Sequence, residues 1–266
     1  MTFEKIKLER DGEVAIIIFN EPARLNPLSL KMQKEIRGLL KEFASGDEVR
    51  AVVLTGEGKA FCVGADLAAM DYDDGKGATR GDRIAEAMHE NSNMLIKDVH
   101  NVPLPVISAI NGPCAGAGVG LALAADIVLM AQSSYIFLPF MPRLGIIPDL
   151  GTTWFLERLV GRNRAVALSL LGERIQAADA VRYGLAWAVH EDGALRAEAI
   201  KIAKRLAQLP AHAMVETRQA MDAASRHTLE EQLSYEAETQ RVLLNKPEFE
   251  EGVNAFQQKR DPVFKR

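Results

Sequence analysis

The run NGPCAGAGVGLALAA, residues 111–125, constrains this chain more than any other stretch. Its side chains are nearly all glycine, alanine or small aliphatics, so the backbone can approach a neighbouring element far more closely than an ordinary helix allows. It follows the apolar pattern Val106-Ile107-Ser108-Ala109-Ile110, which fits a buried strand, and it is cut by Asp126. The segment is too short to span a bilayer. What fits is a sharp turn feeding a short helix pressed tightly against a sheet.

The surrounding pattern supplies that sheet. Ile6 and Leu8 alternate with charge, Asp11-Gly12 is a turn signal, and residues 14–19, VAIIIF, read as a strand covered on both faces. Residues 20–27 form a loop rich in Asn and Pro. A helix is expected from Ser29 as N-cap, with Met32, Ile36, Leu39, Leu40 and Phe43 on its apolar face and Gly46-Asp47 at its end. Residues 49–54 give the next buried strand. The acidic, glycine-rich stretch 71–81 reads as a mobile surface loop. A helix then carries Ile84, Met88, Asn91, Leu95 and Val99 on one side, and Pro103 and Pro105 stop it. Short strands are expected at 126–130 and 135–138, then a loop at 145–151 with Thr152 or Thr153 capping the next helix. Beyond Gly161 the pattern is mainly helical, near 163–171, 176–183, 195–208, 211–224, 228–244 and 248–258, with a last strand at 187–189. Strands alternating with helices, then helices alone, imply an α/β core at 1–195 and a helical region at 196–266.

Several functions are disfavoured. The net charge of −4 and the absence of a long basic run argue against nucleic acid. The two cysteines, Cys62 and Cys114, lie in apolar Gly/Ala-rich surroundings and read as packing thiols in a reducing compartment. The N-terminus has charges where a signal peptide would be apolar, so a cytoplasmic location without a membrane is expected. The five histidines share no metal-ligand spacing, so no metal is expected. The glycines at 112, 116, 118 and 120 lack the downstream acid of a nicotinamide site.

Two segments share a different logic. Residues 60–67, AFCVGADL, and 111–118, NGPCAGAG, each follow a buried strand and turn through small residues. Each can leave a backbone N–H aimed at a ligand, and two such groups converging would make an oxyanion hole. The ordinary alternative is two tight turns where helices pack on a sheet. Between Ser108 and Thr153 the acids are Asp126 and Asp149. Asp126, at a helix-to-strand junction, suits a structural hydrogen bond. Asp149 sits among Ile146, Ile147 and Leu150, where it could cap the following helix or act as a general base with a raised pKa.

At these residues the chain resembles the enoyl-CoA hydratase/isomerase (crotonase) family. The likeness runs from Ile6 to Phe264 through Asn20-Glu21-Pro22 with Leu25-Asn26, Phe61 to Leu67, Asn111-Gly112 with Ala115 to Gly118, Ala124 to Ile127, and Leu144 to Asp149 with Gly151. The resemblance implies a crotonase-like β-β-α spiral core followed by a C-terminal helical trimerisation region. It implies a homotrimer or dimer of trimers acting on a coenzyme A thioester, with no tightly bound cofactor. The N–H groups of Ala65 and Ala117 would form the oxyanion hole. Ala23, Arg24 and Leu25 with Ala65, Asp66 and Leu67 would line the CoA site, closed by Phe256 and Lys259, often of a neighbouring subunit. The two water-activating glutamates of the family's hydratases fall at Gly120 and Met141, neither of which can carry a proton. Asp149 matches the single acid of the family's isomerases. The resemblance therefore implies a double-bond shift from 3-enoyl- to 2-enoyl-CoA. Hydration by another acid, such as one from the 71–82 loop, and ring-epoxide isomerisation are the alternatives.

Overall fold

The computed structural model describes residues 3–67 and 77–264. Strands β1 (Ile6–Asp11) and β2 (Val14–Phe19) form a hairpin through Gly12, whose φ of +62° suits glycine. The strands β3 (Ala51–Gly56), β4 (Val106–Ile110), β6 (Ile127–Ala131) and β9 (Ala188–His190) then add in parallel. The resulting six-stranded sheet has the order β1-β2-β3-β4-β6-β9. A second sheet of three strands joins β5 (Cys114–Ala115), β7 (Tyr135–Phe137) and β8 (Ile175–Gln176).

The unbroken apolar run of β2 is explained by cover on both faces. Ala15, Ile17 and Phe19 join one buried cluster, beside α1 (Leu30–Ser45), α3 (Asn93–Asn101) and α4 (Ala117–Leu123). Val14, Ile16 and Ile18 join another, beneath α8 (Leu195–Ala207). Because Leu195, Ala199, Ala203 and Ala207 all pack there, the packed core runs past residue 195 to the end of α8. The helices α9 (Ala211–Ala224), α10 (Leu229–Leu243) and α11 (Pro247–Gln258) follow.

The helix ends follow local chemistry. The Ser29 hydroxyl accepts from the Met32 N–H at 3.3 Å and starts α1. The helix expected after the 71–81 loop is divided into α2 (Arg80–Ala87), a π turn at Met88–Ser92, and α3. The helix α5 (Thr152–Val160) has Gly151 as its N-cap, in the left-handed region, with no side-chain cap. Neither Thr152 nor Thr153 therefore caps it, because the backbone turns into the helix through the glycine. The structure also includes α6 (Arg162–Leu171) and α7 (Ala177–Tyr183). Most of the loop expected at 71–81 lies outside the described residues.

The C-terminal helices are tied to the core by Arg218 of α9. Its guanidinium donates to the carbonyls of His100 and Val102, both at 2.8 Å, and of Leu104 at 3.0 Å. It also pairs with Asp126 at 2.8 Å, whose carboxylate accepts the Val106 N–H. Burial pushes the Asp126 carboxyl up and Arg218 draws it back, so this acid has a structural hydrogen-bonding role. Arg218→Ala would take this donor from three carbonyls and leave the Asp126 carboxylate with the Val106 N–H but without its cation. An expected loss of about 3 kcal/mol would appear as a lower urea midpoint; an unchanged midpoint would show that this clamp contributes nothing. Among the described residues no helix is long and apolar enough to cross a membrane.

Candidate active site

The two small-residue turns are brought together by strand-like pairing. Cys62 and Cys114 form a parallel bridge, the Ala115 N–H donates to the Cys62 carbonyl at 2.9 Å, and the Phe61 N–H donates to that of Pro113 at 3.1 Å. Two asparagines clamp the approach. Buried Asn26 donates to the carbonyls of Glu57 and Ala60 at 3.0 and 2.8 Å and accepts from the Glu21 N–H at 2.9 Å. Asn111 accepts from the Gly56 N–H at 3.0 Å and donates to the Gly58 carbonyl at 3.0 Å.

The glycines are needed where the turns touch. Gly64 has φ +101°, and a Cβ there would lie 3.1 Å from the Ala115 carbonyl oxygen and 3.3 Å from the Ala117 nitrogen. A Cβ on Gly118 would meet the Cys62 carbonyl oxygen at 2.5 Å. Each glycine permits a backbone approach that alanine would block. Ala117 opens α4, so its N–H has no partner within the helix. Among the described residues, neither the Ala65 nor the Ala117 N–H donates a hydrogen bond. Cys62 and Cys114 are free, buried thiols, and burial pushes Cys62 up to about 12, so they pack rather than react.

Ala65, Ala117 and Asp149 line one cavity of about 110 Å³. Leu28, Leu30, Ile84, Ala87, Met88 and Leu150 supply its apolar wall. Asp149 arrives on the loop preceding α5. Its backbone carbonyl accepts from the Thr152 N–H at 2.9 Å, while its Oδ1 is buried without a hydrogen-bond partner. The side chain does not cap α5. Burial pushes its carboxyl up to about 6, against a small opposing pull from its own backbone N–H. Such a group can exchange a proton near neutral pH.

Gly120 and Met141, the positions to which the resemblance assigns the hydratases' glutamates, differ from this. A Cβ on Gly120 would lie 2.3 Å from the Leu150 carbonyl oxygen and 3.0 Å from Thr152 Oγ1. The Asp149 loop thus occupies the space a longer side chain would need. Met141 lies in a π turn at Phe140–Leu144, is 40% exposed, and does not line the cavity.

The remaining sequence candidates divide by location. Ala23 and Arg24 lie in the 3-10 turn Pro22–Arg24, which ends at Leu25 with φ +60°. Arg24 grips Asp66 through two hydrogen bonds of 3.0 and 2.6 Å, joining this loop to residues 65–67. Leu28 bridges Ala65. Asp66 lines the cavity, and Leu67 is exposed. Phe256, 86% exposed, and Lys259, at the C-cap of α11, do not line the cavity. Phe256 belongs to a separate groove between the C-terminal helices. Trp154 and Phe155 pack edge-on against His100 and also lie outside the cavity. Among the described residues no cluster of metal ligands occurs.

Sequence reasoning missed Gln33, Arg83 and Ser92, all in the cavity lining. Gln33 carried a usable signal. It sits three residues before Ile36 and seven before Leu40, on the apolar stripe of α1, where a lone amide is out of place.

The enoyl-CoA hydratase/isomerase family model matches residues 9–266. A Rhodobacter capsulatus protein named as a probable enoyl-CoA hydratase is 39% identical over 264 residues, covering 99% of both chains. The 1,2-epoxyphenylacetyl-CoA isomerase of Escherichia coli K12 is 38% identical over 251 residues, 94% of each chain. Among solved structures, an enoyl-CoA hydratase from Polaromonas sp. JS666 superposes with a TM-score of 0.91 at 30% identity, covering 98% of this chain and 99% of that one. The fold and site define an α/β crotonase-like core with mixed sheets and C-terminal helices. The chain belongs to the enoyl-CoA hydratase/isomerase, or crotonase, family and is an enzyme of it.

Proposed function

We propose that the enzyme shifts a double bond in an acyl-CoA thioester, converting 3-enoyl-CoA to 2-enoyl-CoA. Asp149 removes a proton from C2. The electron pair of that C–H bond moves into the C2–C1 bond, and the thioester carbonyl becomes a dienolate oxygen. The N–H groups of Ala65 and Ala117 hold that oxygen. The Asp149 carboxylic acid then returns the proton at C4, and the double bond comes to rest between C2 and C3. No hydrogen or electron is gained or lost overall. One oxyanion donor of this kind is worth about 3–4 kcal/mol in a hydrolase site.

The observation that carries this reading is the Asp149 carboxyl, raised by burial and with its Oδ1 unpartnered, in the same cavity as both alanine amides. Gly120 and Met141 leave no proton carrier at the two hydratase positions. Arg24, Asp66 and Leu67, with Ala23 and Leu25, border the CoA-binding side. Phe256 and Lys259 close that side from a neighbouring subunit of a trimer or dimer of trimers, since within one chain they stand apart from the cavity.

Side-by-side rates with 3-hexenoyl-CoA and with crotonyl-CoA in water test the reaction. Isomerisation is expected to exceed hydration by at least about a hundredfold, the scale of one general acid–base group. Dominant hydration that survives Asp149→Asn would overturn the reading. Ring-epoxide isomerisation is a second reading, favoured by the 38% identity to the Escherichia coli protein of that name. An epoxyphenylacetyl-CoA arm in the same assay separates the two.

The pH profile follows from the Asp149 carboxyl. The base form is the ionised one, so kcat/KM should rise with pH through about 6 and level off above it. A profile already flat from pH 4.5 upward would show that the working base is an ordinary, unburied carboxylate.

A further inference from the structure

The cavity holds a second polar feature that the proton transfer does not use. Gln33 and Ser92 lie in its wall, 5% and 7% exposed, among Leu28, Leu30, Ile84, Ala87 and Met88. The Ser92 hydroxyl donates to Gln33 Oε1 at 2.9 Å, and Gln33 Nε2 donates to the Leu28 carbonyl at 3.1 Å. These partners fix which end of the amide is which, because a carbonyl oxygen must meet a donor. The fixed amide still has a second N–H, and Ser92 Oγ still has its lone pairs. Among the described residues nothing pairs with either. A buried amide hydrogen without an acceptor is costly, and an apolar side chain of similar shape would avoid that cost.

We infer that this pair recognises an oxygen on the acyl group, remote from the thioester carbonyl. The preferred substrate is then an unsaturated acyl-CoA bearing a hydroxyl, carbonyl or ether oxygen, rather than a plain hydrocarbon chain. That oxygen accepts the free Gln33 N–H, and a hydroxyl there can also donate to Ser92 Oγ. Gln33 and Ser92 are specificity residues; they do not move the proton. This assignment rests on the acyl-CoA reading of the cavity and is independent of whether Asp149 isomerises or hydrates.

The test uses binding of non-reacting saturated thioesters, so that it does not depend on turnover. Dissociation constants would be measured for hexanoyl-CoA and for hydroxyhexanoyl-CoA isomers with the hydroxyl at C4, C5 or C6. The wild-type enzyme is expected to bind at least one isomer about tenfold tighter than hexanoyl-CoA, the scale of one buried hydrogen bond. Gln33→Leu should bring that ratio to about one, and Ser92→Ala should reduce it. Equal wild-type binding of all four ligands would overturn the inference, whatever the variants do. So would a preference that persists unchanged in Gln33→Leu. Selective binding without isomerisation of any 3-enoyl-CoA would leave this inference standing and remove the proposed reaction.

Discussion

Asp149→Asn should lower kcat for isomerisation by about a thousandfold while making the folded protein more stable above pH 6. The two effects have one cause. Burial holds the Asp149 carboxyl at about 6 because the ionised form loses water and gains little in return; Oδ1 has no partner. The folded chain therefore binds this proton more tightly than the unfolded chain does. Its stability falls as pH rises from the ordinary carboxylate range to about 6, and the full penalty persists above that. Partial exposure weakens the effect, leaving about 1–2 kcal/mol for asparagine to recover at pH 8. Below pH 4 the two proteins should unfold at similar urea concentrations. Urea titrations at the two pH values, paired with rates, check this. A variant that loses activity and is also less stable at pH 8 would assign Asp149 to the architecture instead.

Gly120→Ala is the second large effect, and it comes from a single methyl. The added Cβ would stand 2.3 Å from the Leu150 carbonyl oxygen, a backbone atom next to Asp149. Either α4, which carries Ala117 at its start, or the Asp149 loop must move. Overpacking of this kind costs about 1–3 kcal/mol of stability. A displacement near 1 Å between the proposed base and the proposed oxyanion donors is enough for about a hundredfold loss of kcat. Gly120→Glu should suffer at least as much and acquire no hydration of crotonyl-CoA, although it places a glutamate where the resemblance expects one in a hydratase. A stable Gly120→Glu enzyme that hydrates crotonyl-CoA would show that the loop yields and that the site differs from a hydratase by only that residue.

The layout of the chain was largely legible because its signals are local. Ser29 starts α1, the small-residue run builds α4, and the unbroken run of β2 foretold cover on both faces. The π turns at Met88–Ser92 and Phe140–Leu144 were not legible, since one extra residue per turn leaves no mark on the apolar pattern. Residue 195 reads as a boundary because the strands end there, yet alanines spaced by four carry α8 onto the sheet.

The site was legible in parts. The types of residue at Ala65, Ala117 and Asp149 could be read, but their meeting depends on the Cys62–Cys114 pairing and on the Asn26 and Asn111 clamps. Those contacts join residues far apart in the chain, 34 positions for Asn26 with Ala60 and 55 for Asn111 with Gly56, and local periodicity says nothing about them. The capping role open to Asp149 could not be dismissed from sequence; the left-handed Gly151 takes that place. Gln33 was legible as a lone amide on the apolar stripe of α1, but the stripe alone did not say that this face of the helix borders the cavity.

The most direct test follows one hydrogen. With 3-hexenoyl-CoA carrying deuterium at both C2 positions, a lone carboxyl shuttling between neighbouring carbons should leave part of the label at C4 of the 2-enoyl product, read by NMR. Product whose C4 carries only solvent hydrogen, formed equally fast by Asp149→Asn, would contradict a transfer made by this side chain.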